Sequence, residues 1–159
     1  VVPMGAVAVK EEIYDAVMDA SSGSAVELFH GYTYSAHPVG AAAVCACLSE
    51  TQRISTKDNA GVRGKQLYEG IQRLKKKFDV IGDVRGGQGL MAAIEVVSDP
   101  NKKTPMDMDT MKKLHQKTYE AGAMVRLGLN NILMSPPLVI SEAEIDQILD
   151  ALDYGFSSI

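Results

Sequence analysis

Apolar positions along the chain fall into short periodic stretches, each of which predicts an element. The run MGAVAV at 4–9 is continuous, short and partly β-branched, the pattern of a strand buried on both faces. Ile13, Tyr14, Val17 and Met18 then recur at helical spacing, with Lys10, Glu11, Glu12 and Asp15 turned outward, so a helix comes next. The small polar stretch from Ala20 to Ala25 ends it and opens an irregular segment running to Ala36. Phe29, Tyr32 and Tyr34 make that segment too aromatic for simple disorder. At His37-Pro38 the pattern turns helical, because proline suits the first helical position, and VGAAAVCACLSE supplies a second helix of small, close-packing residues.

A third helix is predicted over Asn59 to Lys77. Leu67, Ile71, Leu74 and Phe78 form its apolar face, and Lys75 to Lys77 make a solvated basic end that suits the helix dipole. VIGDVR and GLMAAIEVV read as two strands joined by Gly86, Gly87, Gln88 and Gly89, with a turn from Asp99 to Pro105. Met108, Met111, Leu114, His115 and Thr118 line a further helix. AMVR and NILMSPPLVI give two more short extended pieces, the first ending in Arg126. Ser141 and Glu144 form a capping box ahead of the stripe Ile145, Ile148, Leu149, Leu152 and Phe156. The order β-α-loop-α-α-β-β-α-β-β-α is an α/β or α+β layout, a sheet covered by helices. Residues 1–55 are expected to be the end of a larger sheet domain, and residues 56–159 a compact unit.

The 159 residues are 46% hydrophobic and 23% charged, enough apolar material for a packed core. A net charge of −4 argues against nucleic acid or an anionic membrane as partner, and no apolar run approaches a membrane span, so a soluble role facing small molecules or proteins is expected. The chain opens on Val1 without the regions of a signal peptide and reads as cut from something longer. Cys45 and Cys47 sit two apart in a helical pattern, so their side chains diverge; both are expected to be reduced packing residues, which suits a cytoplasmic or mitochondrial-matrix setting.

Four features bear on chemistry. Gly87-Gln88-Gly89-Leu90-Met91-Ala92 matches a dinucleotide fingerprint letter for letter. It runs into a β-branched strand rather than the helix that would hold a pyrophosphate, so the segment reads as a glycine-rich strand connection. His30 and His37 lack the carboxylate or thiolate partners of a metal site, so His37 is expected to help cap the next helix and His30 to hydrogen-bond within the loop. The segment from His30 to Pro38 sets hydroxyls ahead of a helix N-terminus. It reads either as a cap, with Ser35 or Ala36 at the helix start, or as an anion site for a phosphate. Arg126 has little acid nearby and reads either as a surface arginine or as a planar fork for a substrate carboxylate.

Taken together, HGYTYSAHPVGAAA, the preceding PMGAVAV, the later RGGQGLMAAIEV and the pair MVR and SPPLVIS resemble the class III (omega) aminotransferases. The similarity runs in order along nearly the whole chain. It is nearest to the branch that uses β-alanine or other omega-amino acids with pyruvate. The resemblance implies a pyridoxal 5'-phosphate enzyme of fold type I working by ping-pong transfer, with this chain its C-terminal part. Residues 1–55 would be the end of the large cofactor-binding domain, and residues 56–159 the small C-terminal α/β domain. It further implies a homodimer or dimer of dimers in which Thr33 reaches the phosphate of the partner subunit's cofactor and Tyr32 shapes the neighbouring active site. Arg126 would grip the carboxylate of the keto or amino acid. The family's Schiff-base lysine would precede Val1, as would the ring-stacking aromatic and the aspartate paired with the ring nitrogen. No catalytic residue is therefore expected in the chain, and Lys10 reads as a solvated helix-start residue. The chain alone is expected not to turn over. Other branches remain open, namely 4-aminobutyrate, ornithine or diamine aminotransferases and aminomutases, as does a non-catalytic dimerisation module.

Overall fold

The computed structural model describes residues 2–20 and 33–159. The chain divides into two compact units, Val1–Arg53 and Ile54–Ile159.

In the first unit, helix α1 (Glu11–Asp19) begins after Lys10, with two acids in its first turn where the dipole favours negative charge. Lys10 itself is exposed. Helix α2 (Pro38–Arg53) starts on the proline, and Arg53 closes it through a two-pronged pair with Glu50, at 2.7 and 2.6 Å. Gly40 is its buried residue. The sulfur of Met4 lies 2.9 Å from where a Cβ would stand, so a glycine is what lets residues 2–4 cross the helix start. Two expectations fail here. Residues 2–9 are exposed and form no strand, because no described residue of this unit offers a neighbouring strand to pair with. Cys45 and Cys47 are free, as expected, but exposed rather than packed: the α2 face that carries them is left uncovered. The predicted loop lies mostly outside the described residues.

The second unit starts with α3 (Thr56–Lys77), three residues earlier than its apolar periodicity suggests. Ser55 turns the chain into it with a left-handed backbone, φ 50°. Strands β1 (Ile81–Gly87) and β2 (Gly89–Asp99) form the hairpin, β3 (Thr104–Pro105) pairs with the end of β2, and helix α4 runs over Met108–Glu120. Strands β4 (Arg126–Gly128) and β5 (Asn131–Met134) precede α5 (Glu142–Phe156). The sheet order is β1-β2-β5-β4 with every pairing antiparallel, a mixed α/β arrangement. Leu67 and Ile71 of α3, Ile94 and Val96 of β2, Leu114 of α4, Ile132 of β5, and Ile145, Leu152 and Phe156 of α5 are almost wholly buried in one apolar core between helices and sheet. Helix α3 presses hard on the hairpin, since a Cβ on Gly64 would strike the backbone of Gly89, itself at φ 75°. The glycine-rich fingerprint is thus a hairpin tip leading into a strand.

The opposite face of the sheet mixes charged residues with small and apolar ones. Cα partners run Arg85, Ala93, Leu133, Arg126 across four strands, so an arginine stands at each end of one row with small and apolar residues between.

Candidate functional site

The C-terminal end of α4 turns at Gly122, φ 101°, and buries Ala123 and Val125 before the chain enters β4. Arg126 therefore opens β4, paired with Leu133, instead of ending the strand AMVR. The alternation Ala123 in, Met124 out, Val125 in belongs to the lead-in segment, which mimics a strand without being hydrogen-bonded as one. Strand β5 runs to Met134 and stops at Ser135-Pro136-Pro137, because the two prolines supply no N–H to continue the ladder.

Between the end of α4, strand β4, the segment 135–140 and the first turns of α5 lies a cleft of about 920 Å³. His115, Tyr119, Met124, Arg126, Leu133, Pro137, Val139 and Gln147 are among the residues lining it. His115 Nε2 donates to the carbonyl of Val125 at 2.9 Å, which fixes the backbone immediately before Arg126. Glu144 lines the cleft as well. The backbone N–H of Ser141 beside it, with help from the Ser141 hydroxyl, holds its carboxyl below the usual range, so it is a committed cap rather than a free acid.

The Arg126 side chain is exposed and makes no hydrogen bond or ion pair among the described residues. Arg63 is held by Glu142 at 2.8 Å, and Arg85 by Asp83 and Glu95 at 3.3 and 3.5 Å. Arg126 also borders a smaller recess of about 320 Å³, shared with Arg85, Met91 and Ala93. An unclaimed guanidinium in an apolar-walled cleft can take a carboxylate with both prongs.

In the first unit, Thr33 is exposed in the turn 33–36 ahead of α2. Ala36 is left-handed there, φ 59°, and His37 N–H donates to Tyr34 O at 3.3 Å. The helix starts at Pro38, so the capping position falls to His37, whose carbonyl accepts from Ala41 at 2.9 Å, and not to Ser35 or Ala36. Tyr32 and His30 lie outside the described residues. Among the described residues no group of three potential metal ligands exists, and no helix is long and apolar enough to cross a membrane. Sequence reasoning did not find Asn59, which holds the segment 135–140, or the placing of Arg85 on the Arg126 row. Neither has a local sequence signal, since both depend on partners far along the chain.

The second unit is thus an antiparallel sheet roofed by helices with a free arginine in a cleft, and the first carries a hydroxyl before an open helix start. Comparison with known proteins gives these features a family. The aminotransferase class-III family matches residues 2–154. The omega-aminotransferase of Caulobacter vibrioides is 36% identical over 155 residues, 95% of this chain and 33% of that protein. The beta-alanine–pyruvate aminotransferase of Pseudomonas aeruginosa is 34% identical over 159 residues, 99% of this chain and 34% of that one. An amine transaminase from an uncultivated Pseudomonas species, solved in its PLP-bound form, superposes with a TM-score of 0.82 at 34% identity, over 93% of this chain and 33% of that one. The chain belongs to the class III aminotransferases, pyridoxal-phosphate enzymes of fold type I. It spans about a third of the length of the relatives it matches.

Thr33 presents an exposed hydroxyl ahead of α2, a donor type that suits an anionic phosphate, while Pro38, the first residue of that helix, supplies no N–H. Among the described residues no lysine is buried in a site where it could hold the ring.

Proposed function

We propose that this chain is the C-terminal portion of a pyridoxal-phosphate-dependent aminotransferase that moves an amino group from an omega-amino acid or amine to pyruvate. Residues 1–55 would close the large domain and residues 56–159 form the small one. The observation that carries the reading is Arg126, the cleft arginine that no carboxylate of the described chain neutralises. The sequence likeness to omega-amino-acid and β-alanine:pyruvate enzymes supports the choice of substrates.

Pyridoxal phosphate, when bound, supplies an electron sink that lets nitrogen leave one carbon skeleton and join another. This chain's residues bind and orient. Thr33 donates its hydroxyl to the phosphate of the cofactor in a partner subunit of a homodimer, and Tyr32 shapes the wall beside it. Arg126 grips the carboxylate of pyruvate or of the amino acid, so the reacting carbon is held in one orientation. The 159-residue chain by itself is expected to give no alanine from pyruvate, an amine and added cofactor. Alanine above the cofactor-only background would contradict that.

The test is steady-state kinetics on the complete aminotransferase carrying Arg126→Ala. A charged hydrogen-bonded fork contributes about 1.5–3 kcal/mol, so the pyruvate KM should rise roughly 10- to 150-fold. The KM of an amine donor that lacks a carboxylate should hardly move. An unchanged pyruvate KM would remove the carboxylate role, and a rise seen only with 2-oxoglutarate would move the enzyme to another acceptor branch.

A further inference from the structure

We propose that Asn59 is a positioning residue for the Arg126 cleft, its side-chain amide setting the place of the segment 135–140 that forms one wall. The proposal rests on the reading of Arg126 as the carboxylate grip. Asn59 lies in the first turn of α3, half-buried, and its Nδ2 donates to the carbonyls of Leu138 at 2.8 Å and Ile140 at 3.0 Å. Both hydrogens of one amide are thus used on two carbonyls of a segment about 80 residues away in the chain.

That segment has little else to hold it. Pro136 and Pro137 donate no N–H, and the backbone bond within it runs from Ile140 N–H to Pro137 O at 3.0 Å. Leu138 and Val139 are 51% and 63% exposed, whereas Ile140 is 7% exposed and embedded in the core. Between the end of β5 and the capped start of α5, the contacts that fix the segment itself are the buried Ile140 side chain and the Asn59 amide. The same segment lines the cleft with Arg126, and it continues directly from Met134, next to the Leu133 that pairs with Arg126. A shift of the wall changes the cleft's width at the guanidinium, where carboxylate geometry is set.

Asn59→Asp tests this without changing side-chain volume, because it replaces two donors by an anion facing two carbonyl oxygens. In the complete aminotransferase the pyruvate KM should rise about tenfold, the scale of two lost hydrogen bonds. The kcat at saturating pyruvate and the KM of a carboxylate-free amine should stay near wild type, a split that general destabilisation would not produce. In the 159-residue chain, hydrogen–deuterium exchange at the Ile140 amide should speed up while the β1–β2 ladder keeps its protection. Should Asn59→Asp fail to fold, Asn59→Ala carries the same expectations. If Arg126→Ala raises the pyruvate KM and the Asn59 variants do not, the positioning role is wrong and the carboxylate reading stands. If neither raises it, the carboxylate reading itself falls and this proposal with it.

Discussion

Arg63 and Arg85 are each tied to carboxylates in the second unit, while Arg126 is left to the cleft. The lack of acid around Arg126 was readable in the sequence; its place was not. Four residues cannot fix a register, and the hydrogen bond from His115 to Val125 O, which sets where β4 begins, joins positions ten apart. Asn59 was illegible for the same reason at longer range. Glycines tell a similar story. Gly64 looks like a weak point in a helix, yet a Cβ there would meet the Gly89 backbone, which cannot give way. Gly64→Ala should therefore destabilise by about 1–3 kcal/mol, through overpacking, despite alanine's better helix propensity. Denaturant titration measures it, and a more stable variant would show that α3 can move off the hairpin.

Elements with their own start signals were the legible ones. The Ser141/Glu144 box stands as expected, with Ser141 N–H donating to Glu144 at 2.8 Å and the Glu144 N–H donating to the Ser141 hydroxyl at 3.3 Å. Helix α4 is capped by Asp107, which accepts from the N–H groups of Asp109 and Thr110 at 3.1 and 2.9 Å. Those bonds, Thr110 foremost, hold the Asp107 carboxyl below its ordinary value. A carboxyl with a lowered folded pKa adds stability that is complete above the unfolded pKa, near 4, and is lost as pH falls through the folded value. Asp107→Asn keeps the capping oxygen and removes the titration. Its thermal midpoint should fall less steeply than wild type's below about pH 4, as monitored by circular dichroism; identical slopes would mean the cap does not sense protonation. The run MGAVAV went the other way. Its pattern describes burial on two faces, and a strand needs a neighbour that the described part of the first unit does not hold.

At the scale of the second unit, periodicity was enough for the helix-over-sheet layout, since the core stripes of α3, α4 and α5 and the inward positions of β2 and β5 meet in one cluster. Strand order was not accessible that way. That β5 rather than β4 lies beside β2 comes from long-range pairing of Ile94 with Ile132. The motifs that carry the family resemblance sit on definite backbone features of this chain: the glycine hairpin tip under α3, the Ser-Pro-Pro stop after β5, and the proline that starts α2. Among the described residues Arg73 is exposed and unpaired as well, so it is the cleft around Arg126, and not the free charge alone, that marks the candidate site. The most direct test is a crystal structure of the complete, cofactor-loaded aminotransferase with a non-reactive pyruvate analogue. The account predicts both prongs of Arg126 within about 3 Å of the analogue's carboxylate; a carboxylate held by other groups, with Arg126 turned to solvent, would contradict it.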